Sequence, residues 1–184
     1  MLSLDLLNGT RARLLADQMR ELYLEVYTEP PYNEGPEHVQ RFTEHFAEEM
    51  DREGFALAVA LDDSALVGAA YGWTMAAGMW WQSSVSEPPE ELRAVPKFAV
   101  MEWMLRNSHR HQGIGRQLLD LLLTGRSEPY AVLASNPEAP ARKIYDHLGW
   151  RYCGQSEPDL LPPMDLLALP LNTPSKRGQP NTVV

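Results

Sequence analysis

The hydrophobic positions of the chain follow two different periods. Spacings of three and four residues, first at Leu15, Met19, Leu22 and Val26, predict amphipathic helices. Compact apolar runs bounded by turn residues predict strands. The apolar stripes of four predicted helices span residues 15–26, 39–50, 114–122 and 141–148. The predicted strands cover residues 2–7, 55–61, 65–75, 98–105, 130–134, 150–154 and 164–169.

This order of elements predicts an α/β (α+β) fold, in which helices cover the faces of a mixed sheet. Residues 76–96 interrupt it with several prolines and the pair Trp80-Trp81, so we expect a functional or partly helical insertion. Residues 1–171 are expected to form a single domain. The polar segment 172–184 contains Pro174, Gly178 and Pro180 and is predicted to be a disordered tail.

Composition and charge narrow the class of protein. A hydrophobic content of 44% without a long apolar run predicts a globular chain with no membrane partner. The net charge of −9 disfavours a nucleic-acid partner. The only cysteine, Cys153, excludes an intramolecular disulfide, and the histidines show no metal-ligand spacing, so no metal is expected. The first residues do not have the pattern of a signal peptide, and we expect a cytoplasmic protein.

The segment from Arg110 to Arg116 lies between a predicted strand and a predicted helix. Gly113 and Gly115 permit a tight turn that brings several backbone N–H groups together, and the helix N-terminus adds a positive partial charge. Arg110, His111 and Arg116 supply local positive charge in an acidic chain. These features suit a pyrophosphate. The alternative is a glycine-rich turn that serves only packing.

The same segment resembles the acyl-CoA-binding signature of the GNAT superfamily of N-acetyltransferases, Arg/Gln-x-x-Gly-x-Gly/Ala. A second part of the resemblance is the family's later helix, with an alanine, a tyrosine four residues on, and then glycine and an aromatic residue. Here these residues are Ala141, Tyr145, Gly149 and Trp150. Over residues 98–154 the resemblance includes specific motifs. Over residues 14–75 only the order of helices and strands is similar to that of the family.

This resemblance implies the GNAT fold, a central mixed sheet splayed between its fourth and fifth strands, with acetyl-CoA in the gap. Main-chain groups of Met104 and Leu105 would pair with the pantetheine arm. The implied pyrophosphate-binding residues are Arg110, His111, Gln112, Gly113, Ile114, Gly115 and Arg116. Many relatives have a CoA-contacting asparagine seven residues before the tyrosine. Here that position is Glu138, and Asn136 is the candidate instead.

Glu102 and Tyr145 are the candidate catalytic residues. Glu102 lies within an apolar strand, where burial would raise its pKa toward that of a useful general base. The resemblance implies that it deprotonates the acceptor amine. The alternative is a carboxylate that binds a cationic substrate without proton transfer. By the same resemblance Tyr145 is the general acid that protonates the thiolate, and the alternative is a core tyrosine.

The acceptor pocket is expected near Tyr32, Glu34 and Trp73, whose rings and charge suit a cationic amine. Alternatively these aromatic residues cover the core or a dimer contact, the role that we assign to Trp80 and Trp81. The prediction is therefore an acetyl-CoA-dependent N-acetyltransferase acting on a small-molecule or peptide amine. A non-catalytic acyl-CoA sensor and a scaffold that no longer binds CoA are the alternatives, and a homodimer is left open.

Overall fold

Seven strands form one sheet at the centre of the protein, which a computed structural model describes over residues 1–171. The strands are β1 (Leu2–Leu7), β2 (Ala56–Asp62), β3 (Ala65–Met75), β4 (Lys97–Leu105), β5 (Tyr130–Ser135), β6 (Arg151–Ser156) and β7 (Met164–Pro170). They lie in the order β1-β2-β3-β4-β5-β7-β6. Only β4 and β5 are parallel neighbours, so the predicted mixed sheet is confirmed. The predicted disordered tail, 172–184, lies outside the described residues.

Helices cover both faces of this sheet. They are α1 (Gly9–Ala12), α2 (Ala16–Tyr27), α3 (Pro36–Glu49), α4 (Glu90–Arg93), α5 (Ile114–Leu123) and α6 (Pro140–His147). Apolar residues of α2 and α3 pack with Leu57, Val59 and Ala69 of the sheet, whereas those of α5 and α6 pack on the opposite face. The short α4 lies in the 76–96 insertion, which is partly helical as predicted.

The two central strands separate part-way along their length. β4 pairs with β5 only from Lys97 to Ala99. Beyond Ala99 the edge of β4 that faces β5 has no partner strand, which leaves a gap at the carboxyl ends of both strands. This is the splayed sheet that the resemblance implies.

A β-bulge in β4 determines which side chains reach this gap. Tyr71 of β3 pairs with Glu102, but the next residue of β3, Gly72, pairs with Val100. Met101 is therefore the extra residue, and the alternation of side chains changes phase there. Val100 packs on the α5 face of the sheet, whereas Glu102 contacts α2 on the other face.

Gly72 permits the close approach of β3 and β4 at the bulge. A Cβ atom there would lie 2.1 Å from the Ala99 carbonyl oxygen. We expect Gly72→Ala to lower the free energy of unfolding by about 1–3 kcal/mol, since the two strands would have to move apart. Urea unfolding followed by tryptophan fluorescence measures the change.

The control for this substitution is Ala65→Val, at the exposed start of the same strand. It is expected to change the free energy of unfolding by no more than about 0.5 kcal/mol. An unchanged unfolding midpoint in Gly72→Ala would contradict the tight packing inferred for the bulge.

Candidate functional site

Two adjoining cavities open at the gap between β4 and β5. The first has a volume of about 570 Å³ and extends to the N-terminus of α5. The second has a volume of about 330 Å³ and lies between β4, α3 and α6. Tyr32, Trp103 and Ala141 line both, so the cavities meet at these residues.

Most of the residues predicted to bind the cofactor line the first cavity. They are Met104, Leu105, Arg110, His111, Gly113, Gly115 and Arg116. Within residues 110–116, two others do not line it: the Ile114 side chain is buried in the core, and the Gln112 side chain donates to the Ser108 carbonyl at 3.2 Å. Their backbone N–H groups, rather than their side chains, are thus the candidates for binding.

The turn before α5 has the backbone of an anion-binding site. His111 and Gly113 adopt left-handed conformations, with φ of 63° and 79°. These two residues turn the chain so that α5 begins at Ile114. The N–H groups of the first turn of α5 have no acceptor within the helix. The helix dipole adds a positive partial charge at the same point. Arg110 borders the turn and forms an ion pair with Glu29 of the opposite wall at 2.8 Å.

Trp103 forms the wall where the two cavities meet. Its indole N–H donates to the Gly115 carbonyl at 2.9 Å. A Cβ atom on Gly115 would lie 3.1 Å from the Trp103 ring, so a glycine at 115 permits this close contact. The second glycine of the sequence motif therefore has a packing role beside the cavity.

The carboxyl group of Glu102 lies in the second cavity, where its Oε2 accepts a hydrogen bond from the Tyr27 hydroxyl at 2.6 Å. Burial raises the pKa of Glu102 to about 8. The Tyr27 hydrogen bond lowers this pKa in part, and the negative charges of Glu34 and Glu49 raise it. Its proton therefore exchanges near neutral pH, as a general acid or base requires.

Tyr145 lies on α6 and lines the same cavity. Its ring packs against Trp103 and Trp150, with centroids 5.4 and 5.6 Å away. Burial, with smaller contributions from Tyr32 and Glu102, raises its pKa well above the ordinary tyrosine value. The hydroxyl consequently keeps its proton at neutral pH.

The structure brings two of the three predicted acceptor residues to Glu102. Tyr32 and Glu34 line the second cavity, and the buried Glu34 accepts a hydrogen bond from the Tyr23 hydroxyl. Trp73, the third, lines neither of these two cavities, so the structure does not place it with Tyr32 and Glu34. It pairs with Ala99, where β4 and β5 are still hydrogen-bonded to each other. Trp73 therefore lies before the point at which these two strands separate.

Asn136 also differs from its expected position. It is a lining residue of the second cavity and not of the first, so the structure does not place its side chain with the α5 turn. Its side-chain oxygen accepts the Glu138 N–H at 2.9 Å, which orders the start of α6. Pro137 follows it directly, and Pro140 is the first residue of α6.

Comparison with known proteins identifies the family of this chain. The family model described as acetyltransferase (GNAT) family matches residues 16–150. The chain belongs to this family. Among curated proteins, no sequence matches that of the chain.

Solved structures share the GNAT fold at low sequence identity. PaiA N-acetyltransferase from Thermoplasma acidophilum, in complex with coenzyme A, is 13% identical over 92% of this chain and 99% of that one, with a TM-score of 0.62. Aminoglycoside 6'-acetyltransferase type Ii is 17% identical over 94% of this chain and 99% of that one, with a TM-score of 0.63. The ribosomal-protein-S18-alanine N-acetyltransferase from Escherichia coli is 14% identical over 97% of this chain and 99% of that one, with a TM-score of 0.60.

Sequence reasoning missed several side chains of the second cavity of this GNAT protein. Among them are Tyr27, the donor to Glu102, and His38, Arg41, His45 and Trp81. A signal for His38, Arg41 and His45 is present in the sequence, because spacings of three and four place them on one face of α3. Trp81, assigned above to covering the core or a dimer contact, packs against the core from the 76–96 insertion and also lines this cavity.

Within residues 1–171, no group of three or more His, Cys, Asp or Glu side chains is arranged to hold a metal ion. In the same part of the chain, no helix has both the length and the apolar character to cross a membrane. Cys153 donates to the Leu166 carbonyl, and burial raises its pKa to about 11, so it remains a thiol at neutral pH.

Proposed function

We propose that this GNAT protein transfers the acetyl group of acetyl-CoA directly to a primary amine of a small molecule or peptide, in the cytoplasm. Glu102 is the general base and Tyr145 the general acid, and residues 1–171 form a single GNAT domain. The observation that carries the proposal is the junction of the two cavities: a carboxyl group with a pKa near 8 and a protonated tyrosine line one cavity, which opens to an anion-binding turn.

The first cavity suits acetyl-CoA. Beyond Ala99, the edge of β4 that faces β5 is free of strand pairing, so main-chain groups near Met104 and Leu105 are available to the pantetheine arm. The N–H groups at the start of α5, with Arg110 and Arg116, would bind the pyrophosphate. Ile144 is 45% exposed and lines this cavity, so a bound ligand would cover an apolar side chain that is otherwise exposed to water.

When bound, acetyl-CoA supplies the thioester whose acyl group is transferred. The Glu102 carboxylate accepts one proton from the acceptor ammonium, which frees the nitrogen lone pair to form the new N–C bond. As the C–S bond breaks, the Tyr145 hydroxyl gives its proton to the sulfur. The proton that the new amide nitrogen loses then restores this hydroxyl, and Glu102 returns its proton to solvent.

Titration calorimetry with acetyl-CoA tests the first step of this function. We expect micromolar binding by the wild type, and Gly113→Trp should weaken it by about 100-fold because the indole would occupy the pyrophosphate turn. A screen of amines for thiol release then tests the transfer itself.

Gly125→Trp is the matched control, since Gly125 has a similar φ of 75° and open space around it at the other end of α5. It carries the same backbone strain but should bind acetyl-CoA as the wild type does. Equal binding by both variants would reduce the Gly113 turn to a structural role. Binding without thiol release from any amine would favour the acyl-CoA sensor.

A further inference from the structure

One face of α3 brings basic side chains to the second cavity. His38, Arg41 and His45 are three and four residues apart, and all three line the cavity. The opposite stripe of the helix is apolar and packs into the core. Its members are Val39, Phe42, Phe46 and Met50. The acceptor cavity, whose chemistry has so far rested on carboxylates, therefore also has a basic wall.

Arg41 is the unpaired charge of this wall. Its side chain is half-buried, and it forms no ion pair with any carboxylate of residues 1–171. His38 differs, because its Nδ1 accepts the Gly35 N–H and its Nε2 lies 2.8 Å from the Leu160 carbonyl oxygen. A partly desolvated guanidinium without a partner is costly, so a ligand that pairs with it gains affinity.

Trp81 lines the same cavity, but its indole N–H is not exposed to it. Among the described residues its indole N–H is buried and has no acceptor. The two carboxyl groups of the cavity already have donors, since Glu102 accepts from Tyr27 and Glu34 from Tyr23. Neither carboxyl group forms an ion pair with Arg41, so an anionic group is the ligand chemistry that would pair with this guanidinium.

We propose that the acceptor amine of this enzyme carries an anionic group, as an amino acid carries its carboxylate. The amine is deprotonated by Glu102, and the anionic group binds to Arg41. This inference rests on the proposed transferase function and narrows its substrate class. A purely cationic acceptor, such as a polyamine, would leave Arg41 unpaired beside a second positive charge.

The test compares amino acids with the corresponding amino-acid amides as acceptors, with acetyl-CoA as the donor and thiol release as the readout. Removal of the carboxylate also makes the amine less basic, so the decisive quantity is how a variant changes the acid-to-amide ratio of kcat/KM. Wild type should prefer the acids. Arg41→Gln should reduce the ratio by about 100-fold, through a higher KM for the acids only.

Arg41→Lys keeps the positive charge but loses the planar fork of donors that pairs with a carboxylate, and it should reduce the same ratio by about 10-fold. It carries the test if Arg41→Gln does not fold. The control is Arg20→Gln, which removes an exposed arginine of α2 and should leave the ratio unchanged.

Several results would overturn the inference. A wild type that prefers the amides, or an Arg41→Gln variant that slows acids and amides equally, contradicts the anion site while the transferase function stands. If neither series releases thiol but other amines of the wider screen do, this inference fails and the transferase function stands. If no amine of that screen releases thiol although acetyl-CoA binds, both fail.

Discussion

Glu102→Gln should lower kcat/KM for amine acetylation by about 10³-fold, since it removes a general base while keeping the size and polarity of the side chain. Acetyl-CoA binding should be unchanged, because Glu102 lines the second cavity and not the first. Steady-state thiol release and calorimetry, performed on the same preparation, separate the two effects.

The pH profile of kcat, measured at saturating amine, distinguishes a base from a carboxylate that only binds a cation, because a group that only binds changes KM. Burial holds the pKa of Glu102 at about 8, so the wild-type rate should rise with pH as this group loses its proton. The hydrogen bond from Tyr27 lowers this pKa, so Tyr27→Phe should move the rising limb to higher pH. If Glu102→Gln keeps the wild-type pH profile, the rise in rate with pH belongs to the titration of another group.

Much of the fold follows from the hydrophobic pattern. The predicted bounds of β1 and β3 agree with the structure at every residue, and those of β4 and α5 differ by one residue at one end. These elements have strong periodicity and clear turn residues, so local sequence is enough to define them. The α5 turn was predictable for a related reason, because the backbone that binds an anion depends on glycines close together in the sequence.

The acceptor cavity was less predictable, because non-local contacts build it. Strict alternation along β4 puts Glu102 on the same face as Val100, and only the bulge at Met101 turns it toward Tyr27. Trp73 has the right chemistry for a cation site, but its register beside Ala99 places it where the sheet is still closed. Register and bulges arise from the pairing of distant strands, and single-chain periodicity does not specify them.

Arg41 illustrates a signal that was present but had no interpretation. One face of α3 carries His38, Arg41 and His45. From sequence alone such a polar stripe predicts an ordinary face exposed to solvent. The side chains of the insertion and of the β6–β7 connection enclose it, including Trp81 and Leu160. A polar helix face becomes a binding surface only when other elements cover it, and their positions are a property of the fold.

Tyr145→Phe should lower kcat by about 10²- to 10³-fold and leave KM for the amine nearly unchanged. The ring would still pack against Trp103 and Trp150, so the unfolding midpoint and acetyl-CoA binding should match those of the wild type. Tyr152→Phe, at an exposed tyrosine of β6, is the control and should have wild-type kinetics. A Tyr145→Phe variant as fast as wild type would make Tyr145 a core residue and nothing more.

One cavity holds the two titratable groups of the proposed mechanism, the Glu102 carboxyl and the Tyr145 hydroxyl. Burial raises the pKa of both, but with different consequences. For Glu102 the shift brings the carboxyl into the range where it can accept a proton from an amine. For Tyr145 it moves the hydroxyl out of the range where it would lose its proton to water. Groups whose pKa values are held apart in this way can serve as base and acid in a single turnover. Because Tyr145 stays protonated, the wild-type rate should show no falling limb from this residue up to its ordinary pKa of about 10.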